Sequence, residues 1–273
     1  MKLTIVLCLS LLLAGSVFGQ KAEKIVIDGS TTVGPIAKAF AEYYMKNNPG
    51  VNITVSESGS GNGAKSIVNG SCQVASMSRL MKANEYEAAI GSEVLPVTHV
   101  VALDGIAMIV HPGNPVKKMT VDQVKQVYLG KIANWKQLGG PDKPIIIISR
   151  DTNSGTYETF EGKVMKGEKI AKNCEYVGSN GAIRQRVQST PNALGYVGIG
   201  FIDNTVKALE INDVYPTPET VRKGTYPIAR PLYMITNDYP KMGSHLYQFV
   251  SMYLTKKGQE IIEEIGFVPV TAY

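Results

Sequence analysis

The sequence predicts an α/β protein built as two lobes, and three observations lead there. Strand-like and helix-like stretches alternate along the chain. Two long apolar, glycine-bearing runs interrupt that alternation where the chain could pass from one lobe to another. Three strand–loop–helix junctions carry the same Ser/Thr/Gly-rich loop, of the kind that lines a crevice at the carboxyl ends of strands.

The elements follow in order. Residues 24–28 (KIVID) predict a strand, and residues 35–46 a helix with Ile36, Phe40 and Tyr43 at helical spacing. Asn47, Asn48, Pro49 and Gly50 stop it. VNITVSES alternates with period two and predicts the second strand, followed by a Gly-rich turn and a short helix near 64–69. QVAS predicts a third strand, and the helices serve as crossovers of a mostly parallel sheet. VALDGIAMIVH is broken by Asp104 and Gly105 and reads as a passage between lobes. Thr120 and Gln123 form a capping box that opens a helix over 121–129, closed by Gly130. Four isoleucines at 145–148 predict a buried strand, and ALGYVGIGFI (193–202) reads as the return crossing. The expected division is therefore a discontinuous first lobe, 20–103 plus 199–273, with 104–198 inserted as the second.

Bulk properties bound the function. The 273 residues are 44% hydrophobic and 19% charged, a globular rather than disordered composition. Residues 1–19 have the form of an export signal: Lys2, the apolar run LTIVLCLSLLLA, then small residues up to Gly19. Twelve apolar residues are too few to span a bilayer. Cys8 lies inside that run and is not a lipid-anchor cysteine, so the mature chain is expected to be soluble and exported. Losing Lys2 reduces the formal charge of +5 by one. That mild excess forms no basic run, which speaks against nucleic-acid binding. Cys72 and Cys174 lie about a hundred residues apart and are read as unpaired. His99, His111 and His245 are scattered, with no HExxH or CxxC, so neither a metal nor a cofactor is expected.

The chemistry concentrates in three loops. IVIDGSTTVGPIAKAF, ITVSESGSGNGAKSIV and IIIISRDTNSGTYETF each run from a strand through hydroxyls and glycines into a helix. Unpaired N–H groups at a helix start favour an anion, glycine permits close approach, and hydroxyls add donors without bulk. Arg150 adds a bidentate cation directly after a buried strand. Any one such loop is more often an ordinary helix cap; three of one kind shift the balance towards a shared anion. Competing motifs fail. Residues 59–64 fit GxGxxA, yet no acid ends the strand that a dinucleotide fold would require, and no GxxxxGK[ST] occurs. Ser154 sits in NSGTY rather than GxSxG, with no histidine in a triad context.

Taken together, DGSTTVGP, SGSGNGAK, ALDGIAMIVHPGNPV, GKIANWKQLGG, RDTNSGT, NALGYVGIGFI and ARPLYMIT resemble the periplasmic phosphate-binding proteins that serve ABC transporters. The resemblance covers nearly the whole mature chain. It implies a type II periplasmic-binding-protein fold, two α/β lobes closing over an anion, with no catalysis and no cofactor. It implies that Thr31, Thr32 and Ser60 bind phosphate from one lobe, and Arg150, Ser154, Gly155 and Thr156 from the other. One position departs: Met77 stands where such proteins often carry a proton-accepting aspartate, and Ser78 with Arg79 reads as a variant ligand loop. The implied partners are inorganic phosphate and a membrane permease, with the protein a monomer. A receptor for another oxyanion such as sulfate is the alternative, and a serine-dependent phosphatase or esterase a remote one.

Overall fold

The computed structural model describes residues 23–271. The leader expected at 1–19 lies outside the described residues. The strands are β1 (Glu23–Gly29), β2 (Val51–Ser56), β3 (Val74–Met77), β4 (Pro96–Val110), β5 (Lys118–Met119), β6 (Ile146–Arg150), β7 (Glu175–Val177), β8 (Ala193–Gly198), β9 (Lys207–Ala208), β10 (Glu210–Ile211) and β11 (Ala229–Asn237). The helices are α1 (Gly34–Asn47), α2 (Ser60–Val68), α3 (Ala83–Gly91), α4 (Val121–Tyr128), α5 (Gly155–Phe160), α6 (Asn180–Gln188), α7 (Pro218–Arg222), α8 (His245–Val250) and α9 (Lys256–Glu264). None of the described helices is long and apolar enough to cross a membrane.

One strand path links both lobes, in the order β2-β1-β3-β11-β4-β8-β6-β7, with β9 also on β4. The fifteen-residue β4 makes this possible. Its residues 96–105 pair antiparallel with β11, and 106–110 pair antiparallel with β8. The passage between lobes therefore falls at Gly105/Ile106, inside the apolar run that predicted it. β1–β2, β1–β3, β6–β7 and β6–β8 are parallel. The sheet is thus mixed, as expected, with parallel pairs at the outer strands and antiparallel ones where β4 and β11 run against their neighbours.

The return passage differs from expectation. β8 belongs wholly to the second lobe, and β9 pairs with Ile109–Val110 of β4. β10 pairs with β5, and Val206, Leu209, Val221, Tyr226 and Ile228 join the second lobe's apolar cluster. Residues 206–228 thus pack with the second lobe, Phe201 also packs edge-on against Phe267 of the first lobe, and the chain rejoins the first-lobe sheet at β11. The physical reason is plain: ALGYVGIGFI is apolar because β8 is buried on both faces, not because it spans two lobes.

Local sequence accounts for the elements that carry the site. α1 buries Ile36, Ala37, Phe40, Ala41 and Tyr44, so the inward stripe runs through Tyr44, and Tyr43 is exposed contrary to the predicted spacing. α2 begins at Ser60, earlier than the predicted 64, because Gly59 takes φ +98° and turns the chain directly into the helix. Thr120 and Gln123 form the predicted capping box on α4, with Thr120 Oγ1 accepting from Gln123 N at 3.0 Å. Under α5, Phe160 stacks on Tyr196 with centroids 4.2 Å apart, and Tyr128 packs edge-on against Phe160. Cys72 and Cys174 are free and buried in separate apolar clusters.

Candidate functional site

The loops after β1, β3 and β6 and the starts of α2, α5 and α6 meet between the lobes. After β1, Gly29 takes φ +134°, where a Cβ would lie 2.1 Å from the Ser76 carbonyl oxygen. Ser30 Oγ then accepts the N–H groups of Thr32 (3.1 Å) and Val33 (3.3 Å), which leads the chain into α1. Gly61 N donates across the cleft to Asn153 O at 3.0 Å. Ser60 Oγ accepts from Ser78 N at 3.1 Å and lies 3.3 Å from Ser78 Oγ. Facing them from the second lobe is Gly155, where a Cβ would lie 2.6 Å from both hydroxyls. Only glycine permits this approach of α5 to the first lobe.

Ser154 caps α5: its Oγ accepts from Thr156 N (3.1 Å) and Tyr157 N (3.2 Å). With its lone pairs engaged, that hydroxyl is left to act as a donor. Thr156 Oγ1 lies 3.0 Å from Thr32 Oγ1 of the opposite lobe. Thr31, Thr32, Ser60, Ser78, Ser154, Gly155 and Thr156 are all buried. The structure therefore gathers seven of the predicted residues into two linked sets of cross-lobe contacts.

Arg150 ends the strand that leads into the Ser154–Thr156 loop. Its backbone is held by Tyr196, whose hydroxyl accepts from Arg150 N at 3.3 Å, and its side chain is 1% exposed. Nη2 donates to Gly178 O at 2.9 Å, while Nε and Nη1 are buried without a hydrogen-bond partner. Burial lowers its pKa to about 10, opposed by nearby Asp151 and Tyr196 and reinforced by the like charge of Arg230. A sealed guanidinium with unused donors is costly unless an anion meets it.

One expectation is corrected. Arg79 is not available to a ligand: its Nη1 and Nη2 fork onto Glu85 at 2.7 and 2.8 Å, Nη1 also reaches Leu80 O, and Nε lies in an ion-pair contact with Glu158. It is a cross-lobe clasp, since Glu158 belongs to α5. Met77 is the buried last residue of β3. Side chains alternate along a strand, so Met77 enters an apolar cluster with Ala64, Ile67 and Ala75.

Sequence reasoning missed three polar residues at the centre. Asp104, Asn180 and Arg230 are buried among the threonines, with Arg230 Nη2 donating to Thr156 Oγ1 at 2.9 Å and Asn180 Nδ2 to Thr32 Oγ1 at 3.0 Å. Asp104 and Arg230 had a signal, each being a charge set in an apolar strand; Asn180 had none beyond following a cap serine. Among the described residues no three His, Cys, Asp or Glu side chains converge as metal ligands.

Two α/β lobes joined through a shared strand, with polar loops meeting between them, define a substrate-binding-protein fold. The model of the PBP superfamily domain matches residues 16–256. The chain is 33% identical over 263 residues to the phosphate-binding protein PstS of Borreliella burgdorferi, covering 92% of each. It is 32% identical to the phosphate-binding protein PstS of Bacillus subtilis, covering 92% of this chain and 83% of that one. Among solved structures it is similar to a phosphate ABC transporter substrate-binding protein from Clostridium perfringens with bound phosphate (TM-score 0.85, 34% identity, 91% of this chain and 100% of that one). The chain belongs to the PBP superfamily and, within it, to the PstS family.

Proposed function

We propose that the cleft binds inorganic phosphate, without turning it over, and that the protein delivers it to a membrane ABC permease for uptake. The observation that carries this reading is Arg150, sealed from water with Nε and Nη1 unpartnered at the end of the strand that leads into the Ser154–Thr156 loop, and within range of the charge of Arg230, which bonds to Thr156. A tetrahedral oxyanion supplies acceptors for those donors, and charge-assisted bonds of this type are worth roughly 1.5–3 kcal/mol each. The PstS names of the relatives and the phosphate in the Clostridium perfringens structure support phosphate as that anion. The phosphate-binding residues are then Thr31, Thr32, Ser60, Ser78, Arg150, Ser154, Gly155 and Thr156, and Arg79 drops out. Ser154 acts as helix cap and donor rather than nucleophile. The protein works as an exported, periplasmic monomer whose leader is removed.

Closure follows from contacts that the ligand makes with both lobes, because only a ligand with different affinity for two states shifts their balance. Equilibrium dialysis of phosphate-stripped protein against labelled phosphate, with sulfate as competitor, tests the reading. We expect saturable uptake of about one phosphate per chain, little displaced by sulfate. No retained label sinks the proposal, and equal displacement by sulfate makes the protein a general oxyanion receptor.

A further inference from the structure

Asp104 and Arg230 face each other in the β4–β11 ladder, on the two strands that join the lobes. Asp104 is fully buried and accepts from Arg230 Nε (3.1 Å), Arg230 Nη2 (2.9 Å) and Ile199 N (3.0 Å). Burial pushes its carboxyl above the ordinary range, and Arg230 offsets part of that. Thus seated, Arg230 reaches into both lobes. Nη2 donates to Thr156 Oγ1 (2.9 Å) and approaches Thr32 Oγ1 (3.4 Å), while Nη1 donates to Ser78 O (3.2 Å). Asn180, from the second lobe, donates through Nδ2 to Thr31 Oγ1 (3.1 Å) and Thr32 Oγ1 (3.0 Å). Its Oδ1 accepts from Gly198 N at 3.3 Å, which fixes which end of the amide faces the threonines.

A guanidinium and an amide NH2 have no acceptor capacity, so the threonine oxygens must accept in these bonds. Arg230 Nη2 has two N–H groups, one held by Asp104 and the other shared between Thr156 Oγ1 and, more weakly, Thr32 Oγ1, so Thr32 Oγ1 takes a full bond from Asn180 and the weaker arm of the shared one, and both its lone pairs face donors. Its own proton then goes to Thr156 Oγ1, 3.0 Å away. Thr156 already accepts from Arg230, so its lone pairs are filled in turn and its O–H is free only to donate.

We propose that Arg230, seated on Asp104, and Asn180 are positioning residues of the anion site: they commit the Thr156 hydroxyl as a donor towards the bound anion. The chain of bonds closes only when Thr32 of one lobe meets Thr156 and Asn180 of the other, so donor polarity and lobe closure arise together. This inference rests on the phosphate reading above.

A double-mutant cycle tests it, with phosphate titrated into wild type, Thr156→Val, Arg230→Gln and the pair. In the wild type, Thr156→Val is expected to weaken binding at least tenfold. In the Arg230→Gln background, where an amide oxygen lets Thr156 donate elsewhere, the same change is expected to cost less than threefold. Arg230→Lys, whose head group is donor-only, restores part of the affinity and of the coupling. Losses that simply multiply across the cycle overturn the proposal, since a structural role for Arg230 would not couple to one hydroxyl. If Arg230→Gln shows no cooperative melt, Asn180→Ala combined with Thr156→Val decides by the same criterion. A wild type that binds no phosphate overturns the phosphate reading and this inference with it; multiplicative losses on a wild type that binds overturn this inference alone.

Discussion

Arg150 shows how a single side chain joins stability to function. It follows β6 into a site where burial lowers its pKa to about 10, and its Nε and Nη1 find no protein partner. Replacing it by methionine removes an uncompensated charge and leaves the apolar stem. Arg150→Met is expected to leave the ligand-free protein as stable as the parent or up to about 2 kcal/mol more stable, while phosphate binding weakens by about 2–5 kcal/mol. Denaturant melts and titrations on the same samples check both halves. Arg150 was legible because a cation straight after an isoleucine run is unusual. Arg79 was misread because sequence does not show that Glu85 and Glu158 approach it from two elements. The alternation along β3 sends Met77 into the apolar cluster beside Ala75.

The elements act through how closely they meet. α5 reaches the first lobe only because Gly155 has no Cβ; one placed there would lie 2.6 Å from Ser60 Oγ and Ser78 Oγ. Gly155→Ala is expected to hold the lobes apart and weaken phosphate binding at least a hundredfold, with a melting temperature close to the parent's because each lobe keeps its own core. Scattering with added phosphate checks this, as the variant should not contract. The β4–β11 ladder carries a pH dependence of its own. His99 Nε2 lies 3.0 Å from Thr236 Oγ1, and that hydroxyl donates to Asp238 O, so the neutral imidazole acts as donor. Burial lowers the His99 pKa from its ordinary value of 6.5. Below that value the unfolded chain binds the proton more readily, so stability held at neutral pH is lost as pH falls towards the lowered folded value. Melting temperatures from pH 7 down to pH 5 should decline, and His99→Gln should flatten that decline. Helix starts at Thr120 and Ser154 were legible because capping is local chemistry. Pairings such as β9 on β4 were not, since two-residue strands leave no periodic pattern.

At the scale of the molecule, one apolar cluster in the second lobe and two in the first are joined by a strand that runs through both lobes, and the polar contacts between the lobes gather around Arg230, Asn180 and the threonines. The two-lobe plan was legible from the run containing Asp104 and Gly105, because an apolar strand broken by a charge marks a special position. The true return at β11 was not, since a strand buried on both faces and one spanning two lobes look alike in sequence. A ligand that touches both lobes stabilises the closed form by mass action, by about 2.7 kcal/mol at a hundred times its dissociation constant. For a chain of this size that corresponds to a rise in melting temperature of roughly 5–11 °C. The most direct measurement is a calorimetric titration of phosphate into stripped wild type and Arg150→Met, run side by side. The wild type should bind one phosphate with a dissociation constant of about a micromolar or tighter, about −8 kcal/mol or more, and the variant should bind at least thirtyfold more weakly. Equal isotherms for the two proteins, or no binding heat at several temperatures in the wild type, would contradict an anion site built on Arg150.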